Sequence, residues 1–131
     1  MPLLLYLSTK VVYLQGIRRI RHRTIFNFMH LVDKNKDVII KLCEKYRVKE
    51  LYLFGSILTD SFNEFSDIDM LVLFDTIELS DYFDNYMDFK DELEKTLNRT
   101  VDIVEDQAIK NPIFRKIVDR DKKLIYGRES A

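Results

Sequence analysis

Between Asp33 and Tyr46 the apolar residues Val38, Ile39, Leu42, Cys43 and Tyr46 return at helical spacing. Lys34, Asp37, Lys41, Glu44 and Lys45 cover the other side, which predicts one amphipathic helix. Arg47-Val48-Lys49 breaks that period, and Leu51-Tyr52-Leu53-Phe54 is a short unbroken apolar run stopped by Gly55, the form of a strand buried on both faces. A short helix is expected from Ser56 to Phe62, a polar turn from Asn63 to Ser66, and a second apolar strand from Asp67 to Phe74. Ser80 is expected to cap a long helix reaching about Asn98, with Tyr82, Phe83, Tyr86, Phe89, Leu93 and Leu97 marking its inner face. Within that stripe Tyr82, Tyr86 and Phe89 fit a core better than an interface. A third strand is expected at Thr100 to Val104. Asn111-Pro112, a capping residue followed by a first-turn proline, opens a helix through about Arg120, and Lys123 to Tyr126 adds an edge strand before Gly127. Helices and strands alternate, which predicts a small α/β layer structure.

A chain of 131 residues holds one such domain and has no space for a second. The formal net charge of −1 averages two unlike parts: residues 1–28 carry five bases and no acid, while residues 29–131 carry a net −6. The N-terminal part begins Leu-rich and then bears Arg18-Arg19-Ile20-Arg21-His22-Arg23, the wrong order of charge and apolar run for a secretory signal. We read residues 1–28 as a basic extension upstream of a functional start at Met29, and residues 29–131 as the domain. A transit peptide, a basic arm for RNA or a membrane surface, and a short extra helix or strand are the alternatives. The single cysteine, Cys43, excludes an internal disulfide and a cysteine-based zinc site, so a reducing cytoplasm is the expected location. Apolar runs such as Leu3 to Leu7 and Met70 to Phe74 fall far short of the roughly 20 residues that span a bilayer. The acidic balance of the body argues against direct nucleic-acid binding, which needs clustered bases.

The candidate chemistry lies in three carboxylates. Asp67 and Asp69 are two apart at the opening of an apolar strand, which places both side chains on one face. Alone, such a pair is most often a solvated strand face. Here Asp102 adds a third acid inside Val101-Asp102-Ile103-Val104, and three carboxylates meeting at one sheet edge are costly unless cations neutralise them. Hard divalent ions such as Mg²⁺ suit them, since these take oxygen ligands and leave positions open for phosphate oxygens. Gly55-Ser56, at a strand-to-helix transition, offers close backbone approach, a hydroxyl donor and a helix N-terminus for an anion, although by itself the dipeptide reads as a turn.

Taken together, the strand, Gly55-Ser56, ten intervening residues, Asp67-x-Asp69 and then Asp102 on a third strand resemble the nucleotidyltransferase superfamily that includes DNA polymerase beta. Within it the pattern resembles the minimal nucleotidyltransferases (MNT) paired with HEPN-domain toxins in toxin–antitoxin modules, and the likeness covers about Leu31 to Gly127. The resemblance implies a small mixed β-sheet flanked by helices. It implies that Gly55 and Ser56 bind the phosphates of ATP, that Asp67 and Asp69 hold two Mg²⁺ ions, and that Asp102 completes the catalytic metal site. The implied activity is transfer of AMP from ATP to a hydroxyl of a partner protein, a HEPN-type ribonuclease toxin, in an antitoxin role. Many relatives carry arginines just after the Gly-Ser, where Ile57, Leu58 and Thr59 stand here. No Lys or Arg occurs from Glu50 to Phe89, a span with ten acids, so a base from the Lys110 to Lys123 region or from a partner is expected to assist. Two alternatives stand beside transfer to a partner: an antitoxin that neutralises its toxin by binding alone, and a stand-alone transferase acting on a small molecule or an RNA end. The lack of an acceptor-binding domain predicts a partner chain or an oligomer.

Overall fold

The structure is a computed structural model that describes residues 30–59 and 62–128; the basic extension over residues 1–28 lies outside the described residues. Residues 30–34 are helical, and after Asn35 the chain continues as α1 (Lys36–Lys45), so the expected first helix is present in two pieces. Strand β1 (Val48–Phe54) starts three residues before the apolar run, because Val48 and Glu50 are also buried. It follows Arg47, whose positive φ of 60° turns the chain out of the helix. Strand β2 is Ile68–Phe74, α2 is Leu79–Leu97, β3 is Val101–Glu105, α3 is Pro112–Asp121 and β4 is Lys123–Tyr126.

Two local expectations are corrected. In place of a helix from Ser56 to Phe62 there is a single 3-10 turn, Gly55–Leu58, which ends where both the backbone N–H and the hydroxyl of Thr59 donate to the Ser56 carbonyl at 2.9 Å. The helix dipole expected behind Gly55 is therefore missing, and only the N–H groups of the turn remain. Ser80 is not a cap: α2 begins one residue earlier, and Leu79 and Phe83 lie on its exposed side. Asn111 does cap α3, its side chain accepting from Ile113 N–H at 2.9 Å and Phe114 N–H at 3.0 Å, with Pro112 in the first turn. Replacing Asn111 with Ala is expected to cost about 1 kcal/mol, read as a lower urea midpoint with an unchanged m-value.

The four strands form a mixed sheet in the order β3-β2-β1-β4, with β1 antiparallel to β2 and β4, and β2 parallel to β3. On one face Leu51, Leu53, Met70, Val72, Val101 and Ile103 pack beneath Ile39, Leu42 and Cys43 of α1 and Phe89, Leu93 and Leu97 of α2. Tyr82 and Tyr86 pack at the margin of this core beside Phe89, whereas Phe83, expected on the same inner face, lies on the solvent side of α2. Burial pushes the Cys43 thiol up to about 12, leaving it an inert filler of that core. On the opposite face α3 sets Phe114, Ile117 and Val118 against Tyr52, Phe54 and Leu71. Period-2 alternation puts Asp69, two residues before Leu71, on this second face. No helix among the described residues is long and apolar enough to cross a membrane.

Candidate active site

Register brings two of the three expected acids, Asp69 and Asp102, together. Phe54 on β1, Asp69 on β2 and Asp102 on β3 are successive partners across three strands. Their side chains share one face, with neighbouring strands about 4.8 Å apart. Asp67 stands just before β2, one residue short of its expected place as the first strand residue. Asp69 is 1 % exposed, whereas Asp67 and Asp102 are half-buried. The Phe54 ring meets Phe114 edge-on at 6.1 Å, so the row of acids ends against a rigid aromatic wall.

Gly55 closes over this row. Its φ of +77° is one that side-chain-bearing residues rarely adopt, and a Cβ there would sit 2.4 Å from Asp69 Oδ2. The glycine loop and the central carboxylate thus touch, and only the absent side chain permits it. The Ser56 hydroxyl lies 3.4 Å from the Asp67 carbonyl oxygen, a long contact that ties the turn to the start of β2.

The loop before Asp67 is held by a residue that sequence reasoning passed over. The Arg99 guanidinium donates to the carbonyls of Asn63 and Ser66 and lies 4.5 Å above the Phe62 ring. Arg99 follows Asn98, whose left-handed φ of 52° ends α2. Its signal in sequence was faint: an arginine directly before a strand that carries an acid. Three of the six bases expected from Lys110 to Lys123 are engaged by acids of this chain. Arg115 pairs with Asp106 at 2.8 Å and Asp119 at 3.3 Å, Lys122 pairs with Asp119 at 3.2 Å, and Arg120 pairs with Asp121 at 2.8 Å. Arg115 and Lys122 line a separate cleft of about 200 Å³ farther along the same sheet face, with Tyr52, Leu71 and the buried Glu50. Glu50 accepts there from the Tyr52 hydroxyl at 2.6 Å.

The donor chemistry of the acid row suits a hard divalent cation: carboxylate oxygens only, one of them buried, on a single sheet face. Among the described residues no three His, Cys, Asp or Glu side chains stand close enough to cage an ion unaided. Open positions for substrate oxygens are the usual arrangement at a Mg²⁺ site that handles phosphates.

The chain is similar to several known proteins. The family model described as "Polymerase beta, Nucleotidyltransferase" matches residues 37–131. A Methanocaldococcus jannaschii protein named "Putative protein adenylyltransferase MJ0128" is 38% identical over 104 residues, covering 79% of this chain and 98% of its own. Among solved structures, a toxin–antitoxin with AMP-PNP is 26% identical with a TM-score of 0.56, covering 72% of this chain and 75% of that one. A tri-AMPylated Shewanella oneidensis HEPN toxin in complex with MNT antitoxin gives 25% identity and a TM-score of 0.51, over 73% and 72% of the two chains.

Proposed function

Because this chain belongs to the polymerase beta nucleotidyltransferase family, we propose that it transfers AMP from ATP to a hydroxyl of a partner protein, a HEPN-type toxin that the modification silences. The observation that carries this reading is the cross-strand row ending in Asp69 and Asp102 with Gly55 seated on Asp69. The relatives named as adenylyltransferase and as partner of an AMPylated toxin support the choice of protein acceptor. The structure solved with AMP-PNP supports ATP as donor.

In this reading the turn at Gly55 and Ser56 receives the triphosphate. Its glycine lets phosphate oxygens approach the backbone, and the Ser56 hydroxyl exchanges its long contact with the Asp67 carbonyl for a phosphate oxygen. Asp67, Asp69 and Asp102 would hold two Mg²⁺ ions together with phosphate oxygens of the bound ATP. When bound, Mg²⁺ lowers the pKa of the attacking hydroxyl and neutralises charge on the departing pyrophosphate. Asp102, at the outer strand, orients the acceptor hydroxyl and takes its proton. The acceptor oxygen then bonds to the α-phosphorus as the bond to pyrophosphate breaks. Phe54 and Phe114 form a dry wall behind the acids, which strengthens every charge interaction in front of it. Arg99 keeps the loop before Asp67 in place. A single buried thiol suits a reducing cytoplasm.

Incubating this chain with Mg-ATP and its co-purified partner is expected to add one or more AMP masses to the partner in intact mass spectrometry, and EDTA is expected to abolish the shift. An unmodified partner with active wild-type chain and Mg-ATP present overturns the reading. The engagement of Arg115, Arg120 and Lys122 by acids of this chain favours a second reading, inhibition by binding alone. In that case Asp69→Asn neutralises the toxin as well as wild type does.

A further inference from the structure

Helix α2 does more than cover the core. Strand β3 is the outermost strand of the sheet and the one that carries Asp102. The Ile68 N–H donates to the Thr100 carbonyl at 2.9 Å, so the backbone groups of Thr100 and Asp102 face β2, and those of Val101 and Ile103 face outward. An outward edge is ordinarily wet, mobile or open to pairing with another strand. Here α2 occupies it. The Glu94 carboxylate accepts from the Val101 N–H at 2.9 Å, and the Tyr86 hydroxyl donates to the Ile103 carbonyl at 2.8 Å. One turn earlier the Tyr82 hydroxyl donates to the Glu105 carboxylate. Residues 82, 86 and 94 recur at intervals of four and eight, so a single stripe of α2 supplies all three contacts. The two clamped backbone positions flank Asp102 directly.

We propose that Tyr86 and Glu94 are positioning residues: by fixing the outward backbone groups of Val101 and Ile103 they set the place of Asp102, and with it the affinity of the acid row for divalent metal. The inference rests on the nucleotidyltransferase reading of that row. The Tyr86 ring is itself held, stacked on Tyr82 at 6.5 Å between centroids, and Tyr82 in turn meets Phe74 edge-on at 5.9 Å. A clamp of this kind acts on metal affinity more than on nucleotide contacts, because neither side chain lies at the Gly55 turn.

The test uses the full chain and Mn²⁺ as the metal probe, in wild type, Tyr86→Phe, Glu94→Ala and Glu94→Gln. Mn²⁺ binding is followed by titration calorimetry, and amide exchange over residues 100–105 by mass spectrometry. Expected are about tenfold weaker Mn²⁺ binding and faster exchange in Tyr86→Phe and Glu94→Ala, the scale of losing a contact that orients a metal ligand. Glu94→Gln, which keeps an acceptor oxygen for Val101, is expected to stay near wild type. In the transfer assay the Mg²⁺ requirement rises while the KM for ATP at saturating metal does not. Folded Tyr86→Phe and Glu94→Ala with wild-type Mn²⁺ affinity overturn the clamp. Should Tyr86→Phe fail to fold, the contrast between Glu94→Ala and Glu94→Gln decides alone. A wild-type chain that neither binds Mn²⁺ nor transfers AMP overturns the underlying reading of the site instead, and the clamp with it.

Discussion

Asp69→Asn is expected to lower the rate of AMP transfer by at least about 10²- to 10³-fold, the loss typical of removing one preorganised electrostatic contact from an active site. The substitution keeps shape and one acceptor oxygen and removes only charge. Asp69 is the middle member of the row, partnered across the sheet with Phe54 and Asp102, and at 1 % exposure it has almost no water to screen it. Thermal denaturation of both proteins, beside the mass-spectrometric transfer assay, separates loss of chemistry from loss of fold. Retained transfer in folded Asp69→Asn sinks the assignment of Asp69 to the chemistry.

Much of this was legible in the chain. Apolar runs and periodicity located β1, β2, β3, α1 and α2 because each buries one face or both, while the Asn111-Pro112 cap located α3. The acids stood out for the reverse reason: Asp69 and Asp102 interrupt runs that are otherwise apolar. Their meeting was expected through the family resemblance and not from the local pattern, since it depends on the parallel register of β2 and β3, a contact between segments some thirty residues apart that no local period encodes. The local misreadings have local causes. A helix was expected directly after the strand that Gly55 ends, but Thr59 closes the turn onto Ser56 with both its N–H and its hydroxyl. Leu79 lies almost fully in solvent, which hid the true start of α2 and made Ser80 look like its cap. Buried Glu50 masked the beginning of β1, since a charged residue rarely reads as a strand interior, and here the Tyr52 hydroxyl donates to it. Arg99 went unnoticed because its partners are backbone carbonyls, which carry no residue signature.

The Gly55 turn allows a sharper test than the acids do, because its two constraints are separable. In Gly55→Ala the backbone must hold a φ of +77° with a side chain present, and the new Cβ must displace an Asp69 carboxylate oxygen otherwise 2.4 Å away. The first constraint costs about 1–3 kcal/mol. The second cannot be met by swinging a long flexible side chain aside, since Asp69 is short and buried, and its Cβ stands 3.3 Å from the same point. The expected result is a large fall in the thermal midpoint, roughly 4–8 °C for each kcal/mol lost, together with loss of transfer. Combining Gly55→Ala with Asp69→Ala removes the carboxylate and leaves the φ. The double variant is therefore expected to be more stable than the sum of its single changes predicts, by the share of the cost owed to the collision, while transfer stays absent. Urea denaturation of the four proteins yields that coupling energy. Strict additivity would mean that loop and acid do not touch, and that the phosphate turn and the metal-binding acids are not the single site described above.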